Sequence, residues 1–213
     1  MNPSRPYPVF LLIEGKPCLV AGGGKVAHRK TLDLLECGAS VTVVAETPAP
    51  EMEELVSLGA IRLIPRRVEP DDVLGTILVF AATDDEGVNA AIAGYARARG
   101  ILVNVVDNPA FCDFTTGAVV KRGPLRIAVS TSGCGPRIAA GIRRELEDRY
   151  GESFGEYVAL AGELRTRILS EPCSKERKNE ALRWLAGGAA YDRFLGSGKE
   201  AVWKEARTIL FSS

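Results

Sequence analysis

The chain has 213 residues, 46% of them hydrophobic and 25% charged, enough for one large domain or for one domain with a smaller appendage. Its 27 basic and 27 acidic residues cancel, so no global field draws it to nucleic acid or to an anionic membrane surface. No stretch reaches the roughly 20 apolar residues that a membrane-spanning helix needs, and the proline-rich N-terminus lacks a signal-peptide core, which points to a cytoplasmic protein.

In chain order, the first half alternates short β-branched runs with helical patterns. Residues 17–21, 41–45, 61–64, 77–82 and 102–106 read as strands buried on both faces. Between them lie segments long enough for helices. Residues 26–36 bring Val26, Leu32, Leu34 and Leu35 near one face before Gly38, and residues 88–99 end in the same way before Gly100. This alternation predicts right-handed crossovers and a Rossmann-like parallel sheet. The pattern changes after residue 113. Residues 117–121 and 125–130, joined by Arg122-Gly123-Pro124, predict an antiparallel hairpin. From Pro136 onward the chain is helical: Ile138, Ile142 and Leu146 recur every four residues, then Phe154, Val158, Leu160 and Leu164, with breaks near Glu171-Pro172 and Gly187-Gly188. The expected division is a nucleotide-binding α/β domain over residues 1–113, a hairpin with its helix over 114–150, and a helical domain over 151–213.

The glycines after the first strand carry the first chemical signal. Gly22-x-Gly24-x-x-Ala27 is the dinucleotide fingerprint in its alanine form, placed between a strand and a helix. Gly22 permits the sharp turn, Gly24 lets the backbone approach a diphosphate, and Ala27 lets helix pack on strand. The first amides of the helix then face the diphosphate. Glu46 ends the second strand roughly 20 residues on, where a carboxylate bonds both ribose hydroxyls. No arginine follows it to neutralise a 2′-phosphate, so the expected cofactor is NAD rather than NADP.

Further carboxylates and hydroxyls end later strands. In Thr83-Asp84-Asp85 the expected role of Asp85 is to cap the next helix, while Thr83 is open between capping and ligand contact. In Asn104-Val105-Val106-Asp107-Asn108-Pro109, Asp107 is either a turn former or an acid/base beside the nicotinamide. The five cysteines, Cys18, Cys37, Cys112, Cys134 and Cys173, include no Cys-x-x-Cys pair, which argues against a disulfide framework and a structural zinc site. Cys18 and Cys37 read as core fillers; Cys112 and Cys134 flank the functional segments.

These motifs together resemble the precorrin-2 dehydrogenase family, also seen as the N-terminal part of siroheme synthase. The matching stretches are Val20-Ala21-Gly22-Gly23-Gly24-Lys25-Val26-Ala27-His28-Arg29-Lys30, Ala81-Ala82-Thr83-Asp84-Asp85, Asn104-Val105-Val106-Asp107, Cys112-Asp113-Phe114 and the hairpin Arg122 to Thr131. The resemblance implies oxidation of precorrin-2 to sirohydrochlorin with NAD as hydride acceptor, and a homodimer built through the hairpin and its helix. It assigns Asp107 as the functional aspartate and Gly22, Gly24, Lys25, Val26, Glu46, Thr47 and Thr83 as nucleotide contacts. The loop after the hairpin departs from the family: Thr131-Ser132-Gly133-Cys134-Gly135-Pro136 has an extra hydroxyl and lacks a serine, and Gly117 stands where proline is usual.

The substrate of such an enzyme carries a ring of acetate and propionate groups. Lys121, Arg122, Arg126, Arg137, Arg143, Arg144 and Arg149 outnumber the acids of the hairpin and its helix, so Arg122, Arg126 and Arg137, with Thr131, are the candidate substrate contacts. Arg144 is expected to pair with Asp148 across one helical turn. Some relatives also insert iron into sirohydrochlorin, but the single histidine, His28, lies in the nucleotide helix and no metal-ligand cluster is visible. The competing reading is a non-enzymatic NAD(H)-sensing regulatory module; fold alone does not separate the two, although the tail shows no helix-turn-helix for a repressor.

Overall fold

The computed structural model describes residues 5–212; the outermost positions of the first and last expected segments lie outside them. The chain divides into two compact units, one over Arg5–Thr116 and one beginning at Gly117. The first unit holds β1 (Pro17–Ala21), α1 (Lys25–Glu36), β2 (Ser40–Val44), α2 (Pro50–Ser57), β3 (Ile61–Ile64), β4 (Leu78–Ala81), α3 (Glu86–Arg97) and β5 (Leu102–Val105). Its five strands are all parallel, in the order β3-β2-β1-β4-β5.

Strand alternation sends each strand's side chains into two cores. Cys18 and Val20 of β1, Val41 and Val43 of β2 and Phe80 of β4 face α1 and α2, where Ala27, Leu34 and Met52 meet them. Leu19, Ala21, Val44, Val79, Val103 and Val105 face the other way, onto Ile92, Ala93 and Ala96 of α3. Helix α1 stops at Gly38, whose φ of +74° suits the left-handed cap; its amide donates to Leu35 O (2.9 Å) and that of Ala39 to Leu34 O (3.1 Å).

Three expectations in this unit are corrected. The buried face of α1 is Ala27, Lys30, Thr31 and Leu34, whereas Leu32 is 44% exposed. The spacing is helical, but two of its members are polar and escape a hydrophobic count. Cys37 is exposed at the end of α1 and is no core filler, although Cys18 is buried. No α-helix joins β3 to β4. Residues 65–77 carry Pro65, Pro70 and Gly75 and form one 3-10 turn, Pro70–Val73, that lays Val68 and Val73 on the α3 core instead.

The second unit holds β6 (Ala118–Arg122), β7 (Leu125–Val129), α4 (Pro136–Arg149), α5 (Glu152–Ser170), α6 (Lys175–Leu185) and α7 (Gly188–Phe211). The hairpin pairs Ala118 with Val129 through Arg122 with Leu125. Gly117 takes no side chain in this conformation, since a Cβ there lies 2.5 Å from Val129 O. Helices α4 and α5 both pack on β6. Helix α4 buries only Ala139 fully; Ile138 is 61% and Ile142 38% exposed, so the four-residue apolar spacing there marks a face this unit leaves uncovered. The tail forms its own core around Tyr157, Leu160, Leu164, Ile168, Leu185, Trp203 and Leu210. Its breaks fall where the sequence places them, and α7 bends at Gly198.

Candidate functional site

In an open parallel sheet, ligands bind outside the carboxyl ends of the strands, where the strand order reverses. Here the reversal lies between β1 and β4, and the chain leaving β1 touches the chain leaving β4. Gly22 has φ +119°, and a Cβ on it lies 2.3 Å from Ala82 O. Only glycine satisfies both the turn and this approach. Gly23, which the fingerprint leaves unspecified, is equally constrained: its Cβ meets Pro48 Cα at 2.7 Å and Thr47 O at 2.8 Å in the β2–α2 loop.

Gly24 differs from both. It is the N-cap residue of α1 with ordinary extended backbone, no side chain caps the helix, and its first turn has no acidic residue. A Cβ on Gly24 meets nothing within 4 Å. The amides of Lys25, Val26 and Ala27 thus open toward space that a diphosphate fits, with a favourable dipole. Lys25 is exposed and Val26 half-buried at this opening. Glu46 and Thr47 are exposed beyond β2. Arg66, beyond β3, is the cation nearest in sequence to that strand edge, and both its terminal nitrogens are held by Asp72, at 2.8 and 2.5 Å.

At the end of β4, Asp85 caps α3 as expected, accepting from Val88 N at 3.0 Å, and also pairs with Arg67 at 3.2 Å. Thr83 is turned inward. Its hydroxyl lies 2.8 Å from Oδ1 of buried Asn89, whose Nδ2 donates to Thr83 O at 2.8 Å. This clasp fixes the β4–α3 loop, and Asn89 carries no signal in the sequence that would have found it.

At the end of β5, Val106 N donates to Ala81 O (2.9 Å), keeping this turn beside the end of β4. Residues 105–108 close a tight turn through Asn108 N and Val105 O at 3.3 Å. Asp107, inside it, has φ +59°, a left-handed conformation uncommon for a residue with a side chain. The carboxylate is exposed and has no hydrogen-bond or ion-pair partner among the described residues. One sheet edge therefore collects Gly22, Gly24, Glu46, Thr83 and Asp107.

Behind this edge Lys30 is 8% exposed, donating from Nζ to Thr116 Oγ1 at 2.7 Å with Nζ 5.4 Å from the Phe80 ring centre. Burial lowers its pKa, opposed by the charge of Asp33. In the sequence Lys30 is marked only as the last residue of the glycine-rich stretch.

The candidate substrate contacts all belong to the second unit. Arg122 is largely engaged: Nε donates to Tyr150 O (3.1 Å) and faces Glu152 (3.3 Å), and Nη1 donates to Lys121 O (2.8 Å). Arg126 Nη1 donates to Leu125 O at 3.1 Å and to Gly123 O, both within the hairpin. Thr131 accepts from Gly135 N at 3.2 Å, shaping the loop before α4. Arg137 is exposed in the first turn of α4. The expected Arg144–Asp148 pair is replaced by Arg143–Glu147, one residue earlier, and Arg144 bonds Ala140 O. Among the described residues no cluster of three metal-ligating side chains occurs, and no helix is long and apolar enough to cross a membrane.

Comparison with known proteins agrees with this architecture. Residues 9–118 match the family described as "Putative NAD(P)-binding", and residues 122–149 match "Sirohaem biosynthesis protein central". The siroheme synthase of Methylococcus capsulatus is 42% identical over 195 residues, 91% of this chain and 41% of that protein. That of Methylobacillus flagellatus is 41% identical over 203 residues, 95% of this chain and 44% of that protein. The chain therefore spans less than half the length of these curated relatives. Among solved structures, SirC, a precorrin-2 dehydrogenase, superposes with a TM-score of 0.81 at 28% identity, covering 95% of this chain and 99% of that one. With more than half of its length matched by one family and the sirohaem biosynthesis central region directly behind it, the chain belongs to the NAD(P)-binding family found in siroheme-forming proteins.

Proposed function

We propose that this chain oxidises precorrin-2 to sirohydrochlorin with NAD as the hydride acceptor. The observation that carries the reading is the single sheet edge that holds both an open glycine at an uncapped helix N-terminus and an unpartnered carboxylate in a left-handed turn. The names of its siroheme synthase and precorrin-2 dehydrogenase likenesses support the substrate.

Bound NAD supplies the two-electron acceptor. The chain's own residues do the rest. Gly24 and the first amides of α1 bind the diphosphate, and Glu46 orients the adenosine ribose through its hydroxyls. Arg66, just beyond β3, is held by Asp72 at both terminal nitrogens and so is not free to pair with a 2′-phosphate, which favours NAD over NADP. Hydride loss from a reduced tetrapyrrole carbon must be matched by loss of one proton, and the Asp107 carboxylate takes it. Arg137 and Arg126, with the Thr131 loop, supply the basic surface for the substrate's acetate and propionate groups, and Arg122 secures the hairpin that presents them. The uncovered Ile138 and Ile142 face of α4 supports a homodimer formed through this segment.

The deciding experiment is anaerobic incubation with enzymatically generated precorrin-2 and NAD, following NADH absorbance and the sirohydrochlorin spectrum. NAD-dependent sirohydrochlorin formation, abolished by Asp107→Asn with NAD binding intact, is the expected result. No oxidation by a protein that binds NAD would overturn the dehydrogenase reading in favour of an NAD(H)-sensing module. Adding ferrous ion afterwards tests for protein-accelerated metal insertion.

A further inference from the structure

A non-glycine residue stays in the left-handed region only where its surroundings over-determine it. The turn that carries Asp107 has such a brace, and it comes from one side chain. Cys112 Sγ accepts from Val105 N at 3.2 Å and lies 3.2 Å from Val105 O and 3.4 Å from Asn108 O, the two carbonyls that bracket the turn. Asn104 Nδ2 approaches the same sulfur at 3.5 Å. The 3-10 turn Pro109–Phe111 brings the chain back so that the thiol reaches these atoms, with Cys112 N donating to Pro109 O at 3.2 Å.

The next residue locks the brace to the sheet. β5 is an edge strand, and Asp113 covers its open side: Asp113 N donates to Val103 O (2.8 Å), and Asp113 Oδ2 accepts from Val103 N (3.1 Å). Arg97 holds the other carboxylate oxygen at 2.7 Å, and Asn104 Nδ2 donates to Phe114 O at 2.9 Å. The sulfur is therefore fixed in place on both sides. Burial raises the Cys112 pKa, so it stays a thiol, with one S–H to donate and lone pairs to accept.

We propose that Cys112 is a positioning residue for Asp107, its thiol bridging the two ends of the 105–108 turn so that the carboxylate is held toward the nucleotide edge in a conformation the turn would otherwise relax. This rests on the assignment of Asp107 made under the proposed function. The thiol forms no covalent bond and undergoes no redox change in this role.

The test compares wild type, C112A, C112S and D107N in the full chain, reading kcat and KM for precorrin-2 oxidation, NAD affinity, and amide exchange at Val105 and Asn108. C112A is expected to lower kcat about 10-fold with KM for NAD and NAD affinity unchanged, and to speed exchange at both amides by a similar factor. C112S, which keeps a donor and an acceptor, restores kcat to within about threefold of wild type. Should C112A fail to fold, C112V replaces it, because it fills the thiol's volume and removes only the hydrogen bonds. Wild-type kcat in C112A alongside an inactive D107N overturns the positioning role and leaves the Asp107 assignment standing. A C112S variant no better than C112A also overturns it, since packing alone then accounts for the loss. Full turnover in D107N overturns the Asp107 assignment itself.

Discussion

Replacing Gly22 and Gly24 in turn by alanine separates what the fold requires from what a nucleotide requires. At Gly22 the backbone sits at φ +119°, and the new Cβ lies 2.3 Å from Ala82 O and 2.7 Å from Ala82 C. Both are backbone atoms of the chain leaving β4, so relief demands that β1 and β4 part at their carboxyl ends. Strain at a positive φ and overpacking of this kind each cost about 1–3 kcal/mol, so Gly22→Ala should lose about 2–6 kcal/mol of stability. At Gly24 φ is −78° and the Cβ meets nothing within 4 Å, so the protein alone loses only N-cap preference, less than about 1 kcal/mol. The same Cβ occupies the space a diphosphate must enter. Losing one amide hydrogen bond to a charged group costs about 1.5–3 kcal/mol, or roughly 10- to 150-fold in NAD affinity. Urea melts read the first effect and calorimetric NAD titration the second. Gly24→Ala with full NAD affinity would refute the diphosphate placement, and Gly22→Ala as stable as wild type would refute the packing at the switch point.

Asp107→Asn should keep wild-type stability within about 0.5 kcal/mol, because asparagine also tolerates the left-handed turn and no partner of the carboxylate is lost; a large drop in melting temperature would mean the carboxylate holds the turn. For Lys30 the folded pKa is lowered below the usual 10.5, chiefly by burial, so between the folded and unfolded values the unfolded chain binds more protons and stability from this site rises with pH. Wild type should therefore gain on Lys30→Met in urea melts as the pH is raised toward the ordinary lysine range, and a difference independent of pH would contradict the burial of a charged amine. Ile138→Glu and Ile142→Glu change residues that are 61% and 38% exposed in the single chain, so if α4 forms the proposed homodimer contact they should shift sedimentation toward monomer without loss of helix content; an unchanged sedimentation coefficient would refute that contact.

The strands were legible because a parallel sheet covered on both faces needs unbroken apolar runs, and β1 and β3 match their expected limits. The turn at Gly22 and the helix start at Gly24 were legible because a strand-to-helix turn is local, spanning few residues at fixed offsets. What escaped are contacts outside any fixed-offset motif. Gly23 is constrained by a loop some two dozen residues away, Thr83 by Asn89, and the Asp107 turn by Cys112; none of these pairings leaves a periodicity. Lys30 and Thr31 lie on the buried face of α1 although their residue types say otherwise, because Lys30 buries its stem and takes Thr116 as partner. In α4 the apolar spacing marks a helix, and Ile138 and Ile142 stay exposed in it because periodicity identifies a face to be covered and not what covers it.

The two roles open to Asp107 in the sequence, turn former or acid/base, make different structural demands. An aspartate that forms a turn or cap does so by accepting from a backbone amide two or three residues on, as Asp85 accepts from Val88 N at the start of α3. Asp107 makes no such bond, and its turn is closed by backbone atoms of Val105 and Asn108 with Cys112 bracing both. For the turn alone, glycine or asparagine at the left-handed position is less strained. The carboxylate thus makes no bond that closes the turn, yet it is exposed at the strand ends where the glycine cradle opens, and of its two roles this favours the proposed acid/base one.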